Sequence, residues 1–389
     1  MSRNRFRAPI ALLTCALAIV SAAPWSVRVA AQEPAKLATP STSERLAKIR
    51  EGVFTGVAQM EEAVRDIKAI LADDPNSAEA HLVLGVAYRG LGSQELVSEA
   101  AAEFRQAIAL DPKMIEARIY LAHTYRDLGR LEPARQELEA ANTALPNNPQ
   151  ILALLGDVER QMGHSDRALE LIGQALEADP SFAQARYYRG MTLFDVGKTN
   201  DAITEWEQVI KAGVRVADVN VALGRAYIEA DRYADAAEIL SQGTHIDPAR
   251  PDLRLQLARA YRLTGALAKA EEQLNVALPE RAPTLADAQQ TAFDVDLERG
   301  LLKLAQRQPD AAIESFKFVL SADPNDGPAN RGIAEAYLMK RMYTLAAQHA
   351  ARAEKAGLPL PPELKKQLVA GQQQNRPKPA PTTKKPGPA

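Results

Sequence analysis

The 389-residue chain contains one cysteine, Cys15, two tryptophans and an aromatic fraction of only 5%. A single thiol forms no internal disulfide. Because Cys15 lies inside an N-terminal apolar segment expected to be removed, the mature chain is read as free of thiol chemistry too. Long hydrophobic runs are equally scarce. The one candidate, Ala8 to Ala23, is 16 residues long and interrupted by Pro9. That is short of the roughly 20 residues a spanning helix needs.

Acidic residues are missing from both ends. Residues 1–31 carry Arg3, Arg5, Arg7 and Arg28, and residues 372–389 carry Arg376, Lys378, Lys384 and Lys385, with no Asp or Glu in either stretch. The body between them holds 39 basic against 49 acidic residues, a net charge near −10. Nucleic-acid binding needs clustered cations that displace counterions, so no nucleic-acid partner is expected of this body. Catalytic signatures are absent as well: no glycine-rich phosphate loop, nucleophile elbow, paired zinc histidines or kinase set. His81, His123, His164, His245 and His349 are scattered along the chain. A metal site needs three or four converging ligands, so these are read as packing or surface residues. No catalytic residue, metal or cofactor is assigned, and the chain is expected not to be an enzyme.

The basic N-terminus followed by the apolar run, with Val29-Ala30-Ala31 before Gln32, has the pattern of a cleavable export signal over residues 1–31. An exported location, periplasmic or secreted, follows as an expectation, and no membrane span is expected after cleavage. Cys15 sits within the run rather than at its end, so it reads as a small apolar residue of the signal and not as a lipid attachment point.

What the chain has in abundance is alanine in register. Ala63, Ala100, Ala134, Ala168, Ala202, Ala236, Ala270, Ala312 and Ala346 are separated by 34 residues in six of eight gaps, the others being 37 and 42. A second small column precedes them: Gly85, Ala122, Gly156, Gly190, Gly224, Ala258, Gly300 and Ala334. Three residues after that column stand Tyr88, Tyr125, Tyr227, Tyr261 and Tyr337. Four after the alanine come Ile67, Phe104, Leu138, Ile172, Trp206, Leu240, Leu274 and Phe316. Gly92, Gly129, Gly163, Gly197 and Gly265 suit a turn between paired helices, while Asp–Pro pairs at Asp111, Asp179, Asp247 and Asp323 suit the turn that closes a unit. A fixed period of this size means one helical hairpin stacked many times, with small residues letting the paired helices approach closely.

Small–x–x–Tyr, then Gly, Ala, a large apolar residue and Pro at period 34 resembles the tetratricopeptide repeat. Nine units are read: 44–77, 78–114, 115–148, 149–182, 183–216, 217–250, 251–284, 293–326 and 327–360. Residues 32–43 are read as a flexible leader, 361–370 as a capping helix and 371–389 as a disordered Pro/Lys-rich tail. Three extra residues near Glu95–Val97 are expected at a turn, and the eight residues Leu285–Ala292 are expected to extend the first helix of unit eight. The resemblance implies an all-α, right-handed superhelical solenoid of about nine helix-turn-helix repeats. It also implies a concave inner face, built by the first helix of each unit, that binds an extended peptide or a partner domain.

On that face the resemblance places Arg89, Arg126, Arg160 and Arg262 at one inward position, and Arg225 and Arg259 at another. Three consecutive arginines suit carboxylates, so an acidic peptide or a chain terminus is one candidate ligand. Neighbouring Asp127, Asp157 and Asp195 leave open the other reading, ion pairs within the chain. The lysine and asparagine clamp of chaperone adaptors in this family is missing, since those places hold Leu82, Val86, Ile119, His123, Ala153 and Asp157. A second candidate surface is apolar: Tyr187, Met191 and Phe194 in unit five, and Leu297, Leu301 and Leu304 in unit eight. The functional expectation is a non-enzymatic scaffold or adaptor for a protein or peptide. The alternatives kept open are an assembly component of an envelope or polysaccharide-export apparatus in contact with membrane subunits, and a non-catalytic subunit of an enzyme complex.

Overall fold

Short alanine- and leucine-rich segments alternate with glycine, Asp–Pro and capping residues, and each segment folds as a helix bounded by those signals. The computed structural model describes residues 42–53, 57–277 and 285–374, and among them no strand occurs. They divide into two units. The first holds α1 (Thr42–Val53), α2 (Val57–Asp73), α3 (Ala78–Leu91), α4 (Gln94–Leu110), α5 (Ile115–Asp127), α6 (Leu131–Ala144), α7 (Pro149–Gln161), α8 (Ser165–Ala178), α9 (Ala183–Asp195), α10 (Thr199–Lys211) and α11 (Ala217–Glu229). The second holds α12 (Tyr233–Ile246), α13 (Pro251–Leu263), α14 (Leu267–Val276), α15 (Leu285–Ala305), α16 (Pro309–Ala322), α17 (Gly327–Met339), α18 (Tyr343–Lys355) and α19 (Pro362–Gln374).

Within the first unit α3 pairs with α4, α5 with α6, α7 with α8 and α9 with α10, and each second helix also packs on the next first helix. The second unit repeats this with α13–α14, α15–α16 and α17–α18, ending on α19 against α17 and α18. Ser77, Ser93, Asn148 and Asp326 each accept a hydrogen bond from a first-turn backbone N–H, satisfying donors that helix starts leave unpaired. All five turn glycines adopt positive φ, from 71° to 89°. Asp111, Asp179 and Asp323 each accept the backbone N–H two residues on, closing their Asp–Pro turns as expected.

Every alanine of the register is buried, and so is every large apolar residue four positions later. The facing glycines explain the close approach. A Cβ on Gly85 would lie 2.6 Å from the Phe104 ring, and one on Gly300 would lie 2.5 Å from Phe316. On Gly190 it would collide with the Trp206 indole. The core is therefore a row of large side chains seated on bare backbone, repeated hairpin by hairpin.

Four boundaries are corrected or sharpened by the structure. The three-residue insertion lies inside a helix, not at a turn: α4 has 17 residues where α6 and α8 have 14. Ser93 caps the lengthened helix, so the extra residues satisfy their own backbone groups as a longer loop would not. The eight-residue insertion continues α15, which runs unbroken for 21 residues. Helix α19 extends to Gln374, so 371–374 are helix and not tail; Gly371 lies against the Tyr343 ring, and the glutamines after it favour helix. Helix α1 begins at Thr42, inside the expected leader. The expected signal, the rest of the leader and the tail from residue 375 lie outside the described residues.

Candidate protein-interaction surface

The first helices of units two to four carry Arg89 (α3), Arg126 (α5) and Arg160 (α7) at one recurring position, and the structure brings all three into a single chain of ion pairs. Arg89 donates twice to Asp127, at 2.8 and 3.1 Å. Arg126 meets Asp127 at 3.4 Å and Asp157 at 3.2 Å. Arg160 grips Asp157 through Nε and Nη2, at 3.0 and 2.8 Å, and reaches Asp195 at 2.7 Å. Gln161 adds a further donor to Asp157, whose side chain is 3% exposed. The pairs reach from one repeat to the next, so the chain spans units two to five.

The electrostatics follow from this geometry. Burial would raise the Asp157 pKa, but Arg160 and Arg126 outweigh it and hold the carboxyl below its ordinary range. Burial would likewise weaken the Arg126 and Arg160 cations, yet their aspartates, with Tyr188 beside Arg126, keep both guanidiniums firmly protonated. His123, on α5, is pushed well below its usual value by burial and by the Arg126 and Arg89 charges, and is therefore neutral at neutral pH. The three arginines sit together as expected, but their charge is met from within the chain.

The apolar candidates lie one repeat further on. Trp206, 1% exposed, rises from α10 into the gap left by Gly190 and donates its indole N–H to the Tyr187 carbonyl at 3.1 Å. Phe194 packs on that indole with ring centroids 5.9 Å apart. Tyr187, Met191 and Phe194 remain partly exposed along α9. The Arg225 guanidinium, from α11, stands 5.9 Å over the Phe194 ring. Arg225 is exposed, and among the described residues no carboxylate pairs with it.

In the second unit Arg262 is paired with buried Glu298, while Arg259 is exposed. Leu297 and Leu301 are partly covered by the α15–α17 core and Leu304 is buried within it, so this stripe is largely packing. Besides Gln161 and Gln184, two residues of these networks were not singled out by the sequence. Tyr188 accepts hydrogen bonds from Arg126 and Gln184, and Glu298 pairs with Arg262. The only signal for either is a polar group one position off an inward column. The histidines stay apart, with separate partners such as Glu103 for His81 and Asn330 for His349. No group of three potential metal ligands occurs among the described residues.

Family profiles described as tetratricopeptide repeat match residues 93–158 and 227–291 in one form, and 154–213, 189–251 and 297–359 in another. Together these ranges take in most of the chain. It belongs to the tetratricopeptide-repeat family. Among solved structures, this repeat protein is similar to the APC/C hetero-tetramer Cut9–Hcn1, with a TM-score of 0.62 at 14% identity, covering 85% of this chain and 63% of that one. It thus spans under two thirds of that relative, and the likeness is one of fold. A thermophilic tetratricopeptide-repeat protein from Thermus thermophilus gives 0.43 at 23% identity, over 48% of this chain and all of its own. No curated protein matches the sequence. Membership makes this an all-α repeat protein of the protein-interaction class. No helix among the described residues is long and apolar enough to cross a membrane.

Proposed function

We propose that this tetratricopeptide-repeat protein is a non-enzymatic scaffold, exported from the cell interior, that holds a partner protein through the first-helix face of its repeats. The observation that carries the reading is the surface of α9. Stacking seals the alanine and large apolar columns completely, yet leaves Tyr187, Met191 and Phe194 only partly covered above a fully buried tryptophan. Large apolar side chains held in place over a packed floor are good anchors, because little conformational entropy is lost when a partner covers them. The paired state of Arg89, Arg126 and Arg160 turns that stretch into a rigid wall beside the anchor.

The test is site-directed cross-linking in the native compartment, with a benzophenone amino acid replacing Met191 on α9 or exposed Gln174 on α8. One adduct of defined stoichiometry from position 191 and none from 174 is the expected result. Equal labelling at both positions, or none at either, would remove the first-helix face as the binding surface.

A further inference from the structure

The same surface carries one cation that the chain leaves uncompensated, and that sets the chemistry of the segment it takes. Resting on the scaffold reading above, we propose that the Phe194–Arg225 pair recognises a partner segment in which a large apolar residue is followed by a carboxylate, from a side chain or a chain end. Three features of the first unit support this. The arginines before Arg225 on the inward face, Arg89, Arg126 and Arg160, are each committed to aspartates within the chain. Arg225 is exposed and has no such partner. Its guanidinium is held over the Phe194 ring, which orients the fork while leaving its donors open.

An apolar side chain would lie along Tyr187, Met191 and Phe194, displacing water from a surface that Trp206 already supports from beneath. A carboxylate next to it meets Arg225, which among the described inward arginines of the first unit needs no ion pair broken first. An anion directed at Arg126 or Arg160 would instead have to displace the buried Asp157, and a cationic segment would be repelled by Arg225. Charge complementarity therefore selects an acidic, apolar segment at this place.

The experiment uses the full chain with Trp25→Phe, leaving Trp206 as its sole tryptophan, and two acetylated, amidated probe peptides, Gly-Ser-Leu-Phe-Asp-Gly and the same peptide with Asn for Asp. Binding is followed by Trp206 emission and by anisotropy of labelled peptide. The Asp peptide is expected to perturb Trp206 and to bind about tenfold more tightly than the Asn peptide, the scale of one charge-assisted contact. Arg225→Gln should erase that preference while leaving the Asn peptide unchanged, Phe194→Ala should weaken both, and Arg105→Gln, on the second helix α4, should change nothing. Equal binding of the two peptides, no binding of either, or a preference that survives Arg225→Gln would each overturn the proposal. The scaffold reading is judged separately: an adduct at position 191 that is indifferent to Arg225→Gln and Phe194→Ala sinks this inference alone.

Discussion

The two units of the chain are built from one repeat and held together differently. In the first, three arginines and three aspartates form a continuous chain across four repeats, centred on Asp157 with donors from two arginines and a glutamine. In the second, the equivalent arginine, Arg262, has a single buried partner, Glu298, and the other cross-repeat pairs, Lys303–Glu271 and Lys340–Asp310, are isolated and partly solvated. The hairpin turns differ too. Turns within the first unit use Gly92, Gly129, Gly163 and Gly197, while the second uses Gly265 and then two arginines, Arg307 and Arg341, at φ 58°. The repeat's apolar columns suffice to build hairpins in both units. Polar networks and turn residues are free to vary, and in the first unit they add a continuous chain of ion pairs one repeat before the partly exposed Tyr187, Met191 and Phe194.

The largest effect expected is that of Asp157→Ala. It leaves two shielded guanidiniums without their shared carboxylate and should cost about 3 kcal/mol, read as a lower urea midpoint and faster amide exchange in α5, α7 and α9. Glu298→Ala breaks one pair and should cost about 2 kcal/mol, confined to the second unit. Equal losses would mean that the continuous chain adds nothing beyond its separate pairs.

Gly190→Ala and Gly300→Ala test what the units share. Each drives a methyl into a buried ring and should cost about 1–3 kcal/mol. The Gly190 variant should also shift Trp206 emission, and a neutral result in either unit would mean that its hairpin is looser than its packing implies.

The larger pH dependence is expected in the first unit. The native pKa of His123 is depressed, so below about pH 6.5 the unfolded chain binds a proton that the native chain refuses, and stability falls as pH falls toward the native value. The slope approaches about 1.4 kcal/mol per pH unit and should fall in His123→Gln to the contribution of His349, whose native pKa burial also lowers. Asp157 contributes in a lower window. Its stabilisation is present above the ordinary carboxylate pKa of 3.8 and lost as pH drops through its depressed native value. An undiminished slope near pH 5–6 in His123→Gln would assign it elsewhere.

The smallest effect concerns the turns. Arg341→Gly should raise the melting temperature slightly, by relief of about 0.5–1 kcal/mol of left-handed strain, and Gly129→Arg should lower it by a similar amount. The reverse signs would mean that side-chain contacts at the turn outweigh backbone conformation.

Much of the fold was legible because each repeat position is governed by a short-range rule. Alanine and glycine columns at period 34 admit only close helix packing, glycine seven residues after the small column admits the turn, and the Asp–Pro pairs close the units. The misplaced insertion at Glu95–Val97 shows the limit of such rules: register counts residues but does not say whether a helix or a turn absorbs them. Asp127, Asp157 and Asp195 were visible beside the arginines, yet two readings stayed open, because pairing depends on where residues 31 to 38 positions apart meet in space. Tyr188 and Glu298 gave only the weak signal of a polar group one position off an inward column.

By itself the sequence determined the repeat, its helical class and the residues that close each hairpin, since these depend on spacing and backbone preference within one unit. Only the tertiary structure decided which of the inward arginines are paired inside the molecule, and that Arg225 and Arg259 are exposed with no carboxylate partner among the described residues. That outcome rests on distances between repeats, where a shift of about an ångström or two separates a buried ion pair from an open guanidinium.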